Sequence, residues 1–363
     1  MIRGAYMSTA QNSTHVDPSF SPKPRTKSST TREKPKVWHY LPPLPLQSSA
    51  YFRNPFSLVL AFKWMISSWF PLSERLIILA LSVLSWVFFH PAIEACSEFA
   101  LGWITQIYLR NLVLMTFIAG GLHLYFYSSK KQDNDLKYDA RAQIEKNKKF
   151  TFQSQVKDNI FWSIASGVSI WTGYEVLMMW SLANGYVPML SLTDDYLLLA
   201  LLIFLVPIWE TLYFFVIHRF LHWPPVYKTI HHLHHRNTNV APWSGMSMHP
   251  IEHLLFLGSV MIHFFVAANP LLIIFHLQYY TLSAISTHTG FQGLNIGGRM
   301  VIALGTFHHQ LHHRFFECNY GGLEVPMDQW VGSFHDGTDE SHKQFIKKRK
   351  SQSLKARSEK AHV

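Results

Sequence analysis

The chain has 363 residues, 48% of them hydrophobic and only 15% charged, well below the roughly 25% charge usual in soluble domains. That balance excludes an ordinary soluble globule, and two cysteines, Cys96 and Cys318, exclude a disulfide framework. The formal charge of +10 gathers in three basic blocks beside apolar runs, the pattern of membrane-flanking loops, so nucleic acid is not expected as a partner.

Residues 1–50 are rich in Ser, Thr, Pro, Lys and Arg. They read as a disordered tail without the apolar stretch of a secretory signal, and residues 2–45 are expected to be dispensable for chemistry. Apolar segments follow at 55–70, 76–93, 101–127, 160–186, 196–217 and 254–288, the last broken by Asn269-Pro270 into an antiparallel pair. A crossing takes about 20 apolar residues. The pattern therefore predicts an all-α integral membrane protein of about six transmembrane or interfacial helices, the first of them short and interfacial in character. Residues 297–305 read as a loop or re-entrant turn. The chain divides into the tail (1–50), N-terminal membrane helices (51–195), a chemistry-bearing region (196–340) and a basic C-terminal tail (341–363).

Lys and Arg set the orientation. None occurs between Arg75 and Arg110, between Lys157 and Arg219, or between Arg236 and Arg299. The turns near Pro91, Asn184–Asp195 and Asn269 are therefore assigned to the outside, and the tails and the 130–149 block to the cytoplasmic side. Glu175 and Glu210 fall inside apolar segments. Such carboxyls serve either as hydrogen bonds between helices or as functional groups, such as an anchor for a substrate hydroxyl.

Of 22 histidines, 15 fall between His218 and His313. His218 and His222 are four apart; His231, His234 and His235 stand at i, i+3 and i+4, and His309, His312 and His313 repeat that spacing. Residues three and four apart share a helix face, and imidazole is the commonest metal ligand among side chains. Two clusters of equal spacing predict two metals in one site. The bland reading, interfacial histidines capping helices, accounts for one or two of these residues but not for the repeated spacing. His232 and His308 point off the shared face, and His263 and His276 suit packing or a cavity wall.

The order H-x3-H, K-x2-H-x2-HH, His249-Pro250-Ile251-Glu252, His288-x-Gly290, H-x2-HH and then Asn319-Tyr320-Gly321, Asp328 and Trp330 resembles the fatty acid hydroxylase and sterol desaturase superfamily of membrane di-iron oxygenases. The resemblance spans roughly 197–337 and is nearest to the sterol-oxidising branches. It implies ten metal ligands: His218, His222, His231, His234, His235, His249, His288, His309, His312 and His313. His253 is the rival of His249, and no catalytic side chain is implied beyond the ligands. Asp328 is implied as an acceptor bracing a ligand. The resemblance further implies two iron ions, O2 as co-substrate, and hydroxylation or desaturation of a sterol-like lipid. Fatty-acyl or sphingolipid hydroxylation is the runner-up. Electrons are implied to come from a separate donor, cytochrome b5 or a ferredoxin with its reductase, because the chain has no haem-attachment motif, cluster cysteines or dinucleotide fingerprint. The implied location is the endoplasmic reticulum in a eukaryote or the inner membrane in a bacterium. The rival from another class is a non-catalytic membrane metal or haem carrier.

Overall fold

The computed structural model of the protein describes residues 38–70 and 72–361. It is mostly helical. Helices α1 (Leu58–Trp69) and α2 (Glu74–Phe89) start at Ser57 and Ser73, whose hydroxyls accept the backbone N–H of Leu60 and Leu76, satisfying donors that a helix start leaves open. The two helices meet at a 51° bend. Helix α3 (Leu101–Ser128) is continuous, α4 covers 155–183, and α5 (Tyr196–Leu221) follows. Helix α6 (224–235) carries the first H-x2-HH cluster. Helices α7 (Pro250–Phe264) and α8 (Pro270–Thr287) form the expected pair. Asn269 caps α8 by accepting the N–H of Leu271 at 2.8 Å, and Pro270 occupies the first helical position, where its missing donor is harmless. Helix α9 (Phe307–Phe315) holds the second cluster and α10 (Asp339–Ala361) the basic tail.

Among the described residues, α3 and α5 are long and apolar enough to cross a membrane, and the bent α1–α2 pair raises the count to three. The other helices among the described residues are shorter or less apolar. In α8, 15 of 18 residues are buried; a helix apolar all round can be a core helix as readily as a span. The 297–305 stretch is not a re-entrant turn. It belongs to a hairpin of β1 (Gly293–Ile296) and β2 (Arg299–Ala303). Gly297 and Gly298, with φ of 60° and 78°, supply the two left-handed positions that a tight hairpin loop needs. Glu175 takes the structural option: it pairs with Arg110 of α3 in a buried ion pair, and Asn111 Nδ2 donates to it at 3.1 Å.

The expected tail needs a correction. Residues 1–37 lie outside the described residues, but 38–50 form an extended strap on the fold. Trp38 meets Phe307 edge-on at 5.0 Å, and Tyr40, Leu44 and Leu46 cover Tyr138, Phe307 and Leu311. Backbone bonds from Leu46 N–H to the Asp336 carbonyl and from Ser49 N–H to the Leu323 carbonyl fix its course. Prolines keep this segment from helix or sheet, not from packing. Because Phe307 and Leu311 belong to the helix bearing His309 and His312, truncation to residue 37 should leave the site intact, whereas truncation to residue 47 should destabilise it. Each of the partly buried side chains lost there contributes a fraction of the about 1.5–3 kcal/mol that full burial is worth. Thermal unfolding and activity of the two truncations check this; equal behaviour would contradict it.

Candidate metal centre

Nine of the ten expected ligands come together in two adjoining groups. The first comprises His218, His222, His231, His235 and His312; the second comprises His234, His288, His309 and His313. The rings of His235 and His313 stack at 4.7 Å where the groups touch. The membership divides the imidazoles that share one helix face in each sequence cluster. In both H-x2-HH clusters the first and last histidines join one group and the middle one joins the other. Helix geometry explains the split: i+3 and i+4 lie about 100° apart, on opposite edges of the shared face, so each cluster straddles both groups.

His249 stands outside both groups. It is half-buried and caps α7, its Nδ1 accepting the N–H of Ile251 at 3.2 Å. His253 is also outside, bonded to Ser166 Oγ at 2.8 Å and facing the Met246 carbonyl at 3.1 Å. His232 is exposed as expected, whereas His308 is buried and borders the cavity described below. His263 and His276 bond to each other at 3.0 Å, away from the site.

The outward nitrogens are held by partners that motif spacing alone does not reveal. Nδ1 of His218 donates to the Tyr320 carbonyl at 2.6 Å, His312 to Cys318 at 2.6 Å, His288 to Ala284 at 2.7 Å and His313 to Asn237 at 3.1 Å. His231 Nδ1 faces Glu252 Oε1 at 2.7 Å. Asn319, at φ 56°, turns the chain so that the flanking carbonyls of Cys318 and Tyr320 face the site. Asp328 touches no imidazole; its carboxylate accepts the N–H groups of Tyr320 and Gly321 at 2.9 and 2.7 Å and thereby fixes the loop that bonds His218. The Thr306 hydroxyl caps α9 by accepting His309 N–H at 3.1 Å.

Where Nδ1 is protonated and turned outward, as in His218, His288, His312 and His313, Nε2 is left as a lone pair pointing inward. The Nε2 atoms of His222, His235 and His312 lie 3.0–3.1 Å apart, and those of His288, His309 and His313 are 3.1 Å apart. Nε2 of His218 and His231 are buried without any partner. Lone pairs converging in this way repel unless a cation sits among them, so the residues fit a metal. An all-imidazole donor set suits iron, zinc or copper alike. Burial, reinforced by neighbouring imidazoles, holds His231, His235, His309, His312 and His313 well below the usual imidazole range, and burial brings His234 to about 4. All six are neutral and ready to ligate at neutral pH.

Both groups reach one cavity of about 240 Å³. His218 and His231 of the first group border it with His234, His288 and His309 of the second, and Phe214, Ile217, Leu221, Met248 and Phe256 supply apolar wall. Glu210 lines it too, so the functional option stays open for that carboxyl.

The family model for fatty acid hydroxylases matches residues 203–333. A Delta(7)-sterol 5(6)-desaturase of Eremothecium gossypii is 32% identical over 136 residues, 38% of each chain. Human lathosterol oxidase is 35% identical over 127 residues, 34% of this chain and 41% of that protein. A tobacco (Nicotiana tabacum) Delta(7)-sterol-C5(6)-desaturase matches more widely, 24% identical over 66% of this chain and 87% of its own. The chain thus spans well under half the length of the first curated relatives it matches. No solved structure matches. With their histidine order and two imidazole groups, residues 203–333 form a fatty acid hydroxylase domain similar to that of the sterol desaturases.

Proposed function

We propose that the protein is an integral membrane oxidoreductase that uses O2 and two irons to desaturate or hydroxylate a sterol or sterol-like lipid. The observation that carries this reading is the apolar-walled cavity bordered by both imidazole groups. A lipid carbon can be presented there to two metals at once, while a carrier would string its ligands along a path. Iron held by His218, His222, His231, His235 and His312, and by His234, His288, His309 and His313, would supply O2 activation and removal of hydrogen from an unactivated C–H bond.

The chain's own residues set the conditions. Glu252 and the carbonyls of Tyr320, Cys318, Ala284 and Asn237 fix ring orientation and tautomer. The apolar wall excludes water from the reacting carbon. Desaturation consumes the lipid, one O2, two electrons and two protons, and returns the alkene and two waters; hydroxylation returns the alcohol and one water. The electrons come from a separate protein, cytochrome b5 or a ferredoxin with its reductase. Sterols are favoured because the relatives are named as sterol desaturases and lathosterol oxidase; a fatty-acyl or sphingolipid substrate is the second reading, on the family model's own description. Comparing the lipids of a host with and without the gene tests both: a sterol should gain a double bond or a hydroxyl. A change confined to acyl or sphingoid chains would reverse the ranking, and no oxidised lipid would refute the activity.

The protein is further proposed to be multi-pass, with the imidazole groups on the cytoplasmic side, on the Lys/Arg distribution. Cys96 and Cys318 are both buried, so a single cysteine introduced at the exposed Met189 can report sidedness. It should label from the outside only; labelling from the cytoplasmic face would invert the topology.

A further inference from the structure

The cavity carries a second polar cluster that the metal chemistry does not use. Glu74 and Arg75 at the start of α2, Glu210 on α5 and Glu324 after the second cluster all border it. Arg75 is taken by Glu324, through Nη2 to Oε2 at 2.7 Å and Nη1 to Oε1 at 3.4 Å, and Trp64 Nε1 also donates to Glu324. Gly321 and Gly322 allow this approach: a Cβ on Gly322 would lie 3.2 Å from Thr211 Oγ1 on α5. Glu74 receives the Ser286 hydroxyl on Oε1, and Glu210 receives Thr211 Oγ1 on Oε2 at 3.4 Å. Among the described residues, the other oxygen of each has no protein partner, and both side chains remain partly open while their helices are packed.

We propose that Glu74 and Glu210 accept a hydrogen bond from a neutral hydroxyl on the lipid and so determine which lipid the cavity orients. The proposal rests on the lipid-oxidation reading and specifies the head group. Arg75 is already paired with Glu324, so it offers a carboxylate or phosphate head no free cation. A hydroxyl instead gives a donor to acceptors that are otherwise left open in an apolar cavity. Glu210 and His218 lie eight residues apart on α5, about 12 Å along its axis. The carbon presented to the imidazoles therefore lies within about 12 Å of the hydroxyl along that axis, a span that a rigid ring system bridges in one orientation.

The test is equilibrium binding to the full chain in detergent micelles, with dehydroergosterol as a fluorescent probe excited through the protein's tryptophans. Competitors are a 3β-hydroxysterol, its 3-keto analogue, its 3-sulfate, a free fatty acid and sphinganine. The hydroxysterol should compete about tenfold better than the ketone, which cannot donate, and better than the two anions. Glu210→Leu should erase that preference, while Glu210→Gln, which keeps an acceptor oxygen, should retain most of it. Glu74→Leu gives a second measurement should Glu210→Leu fail to fold. Equal competition by hydroxyl and ketone, an unchanged preference in both Leu variants, or tighter binding of an anion or of sphinganine would overturn the proposal. Selective hydroxysterol binding without any sterol turnover would leave the anchor standing and refute the sterol-oxidation reading; turnover without head-group selectivity would do the reverse.

Discussion

His312→Ala loses oxidation, while His232→Ala retains it. His312 is fully buried, its Nε2 stands 3.0–3.1 Å from those of His222 and His235, and its Nδ1 is bonded to the Cys318 carbonyl. Removing it takes a ligand from the five-imidazole group and leaves that carbonyl without a donor. Loss of groups that merely brace a ligand already lowers metal affinity or activity about 10–100-fold, so a direct ligand should cost at least as much. His232 follows His231 by one residue, about 100° around the helix, and is exposed. The measurement is oxidised lipid per chain on membranes with matched protein levels. Near-normal turnover by His312→Ala, or a His232→Ala variant as inactive as His231→Ala, would show the grouping to be wrong.

Protein from an iron-replete host should hold two metal ions per chain, and the crossed grouping determines how that number falls. His312 and His313 are adjacent in sequence, yet they belong to different groups. A double change of His288 and His309 to Ala should strip the second group and leave about one ion per chain. Adding His234→Ala should remove little more metal, because it empties the same group, whereas adding His312→Ala should bring the content toward zero. Neutral, inward-pointing imidazoles have no other cation to bind, so metal loss should also lower the thermal midpoint. Elemental analysis with a thermal scan reads both. A wild-type ratio of one, or His234→Ala and His312→Ala acting alike on the double variant, would rule out two crossed sites.

The sequence was most legible where spacing is short. Asn269-Pro270 announced a helix start because a side-chain cap and a fixed φ act within one turn, and the H-x2-HH clusters announced imidazoles on one helix face. It was least legible where a side chain's use depends on distant neighbours. Glu175 and Glu210 look alike in sequence, but one meets Arg110 across α3 while the other faces a cavity. Trp38, Tyr40 and Leu44 sit in a proline-rich, basic stretch that composition assigns to a solvated tail, yet they cover the far face of the helix bearing His312. The apolarity of α8 reads as membrane span, and only the packing shows that 15 of its 18 residues lie buried inside the fold.

The sequence by itself determined that the chain is helical and apolar and that it holds two repeated imidazole clusters, since helix periodicity and burial propensity are local. Only the tertiary structure decided which imidazoles share a point. Pairing His231 and His235 with His312, and His234 with His288, His309 and His313, depends on how α5, α6, α8 and α9 converge. His249 fits the motif order but caps α7 instead of joining either group, because packing sets its distance from the site and motif order does not.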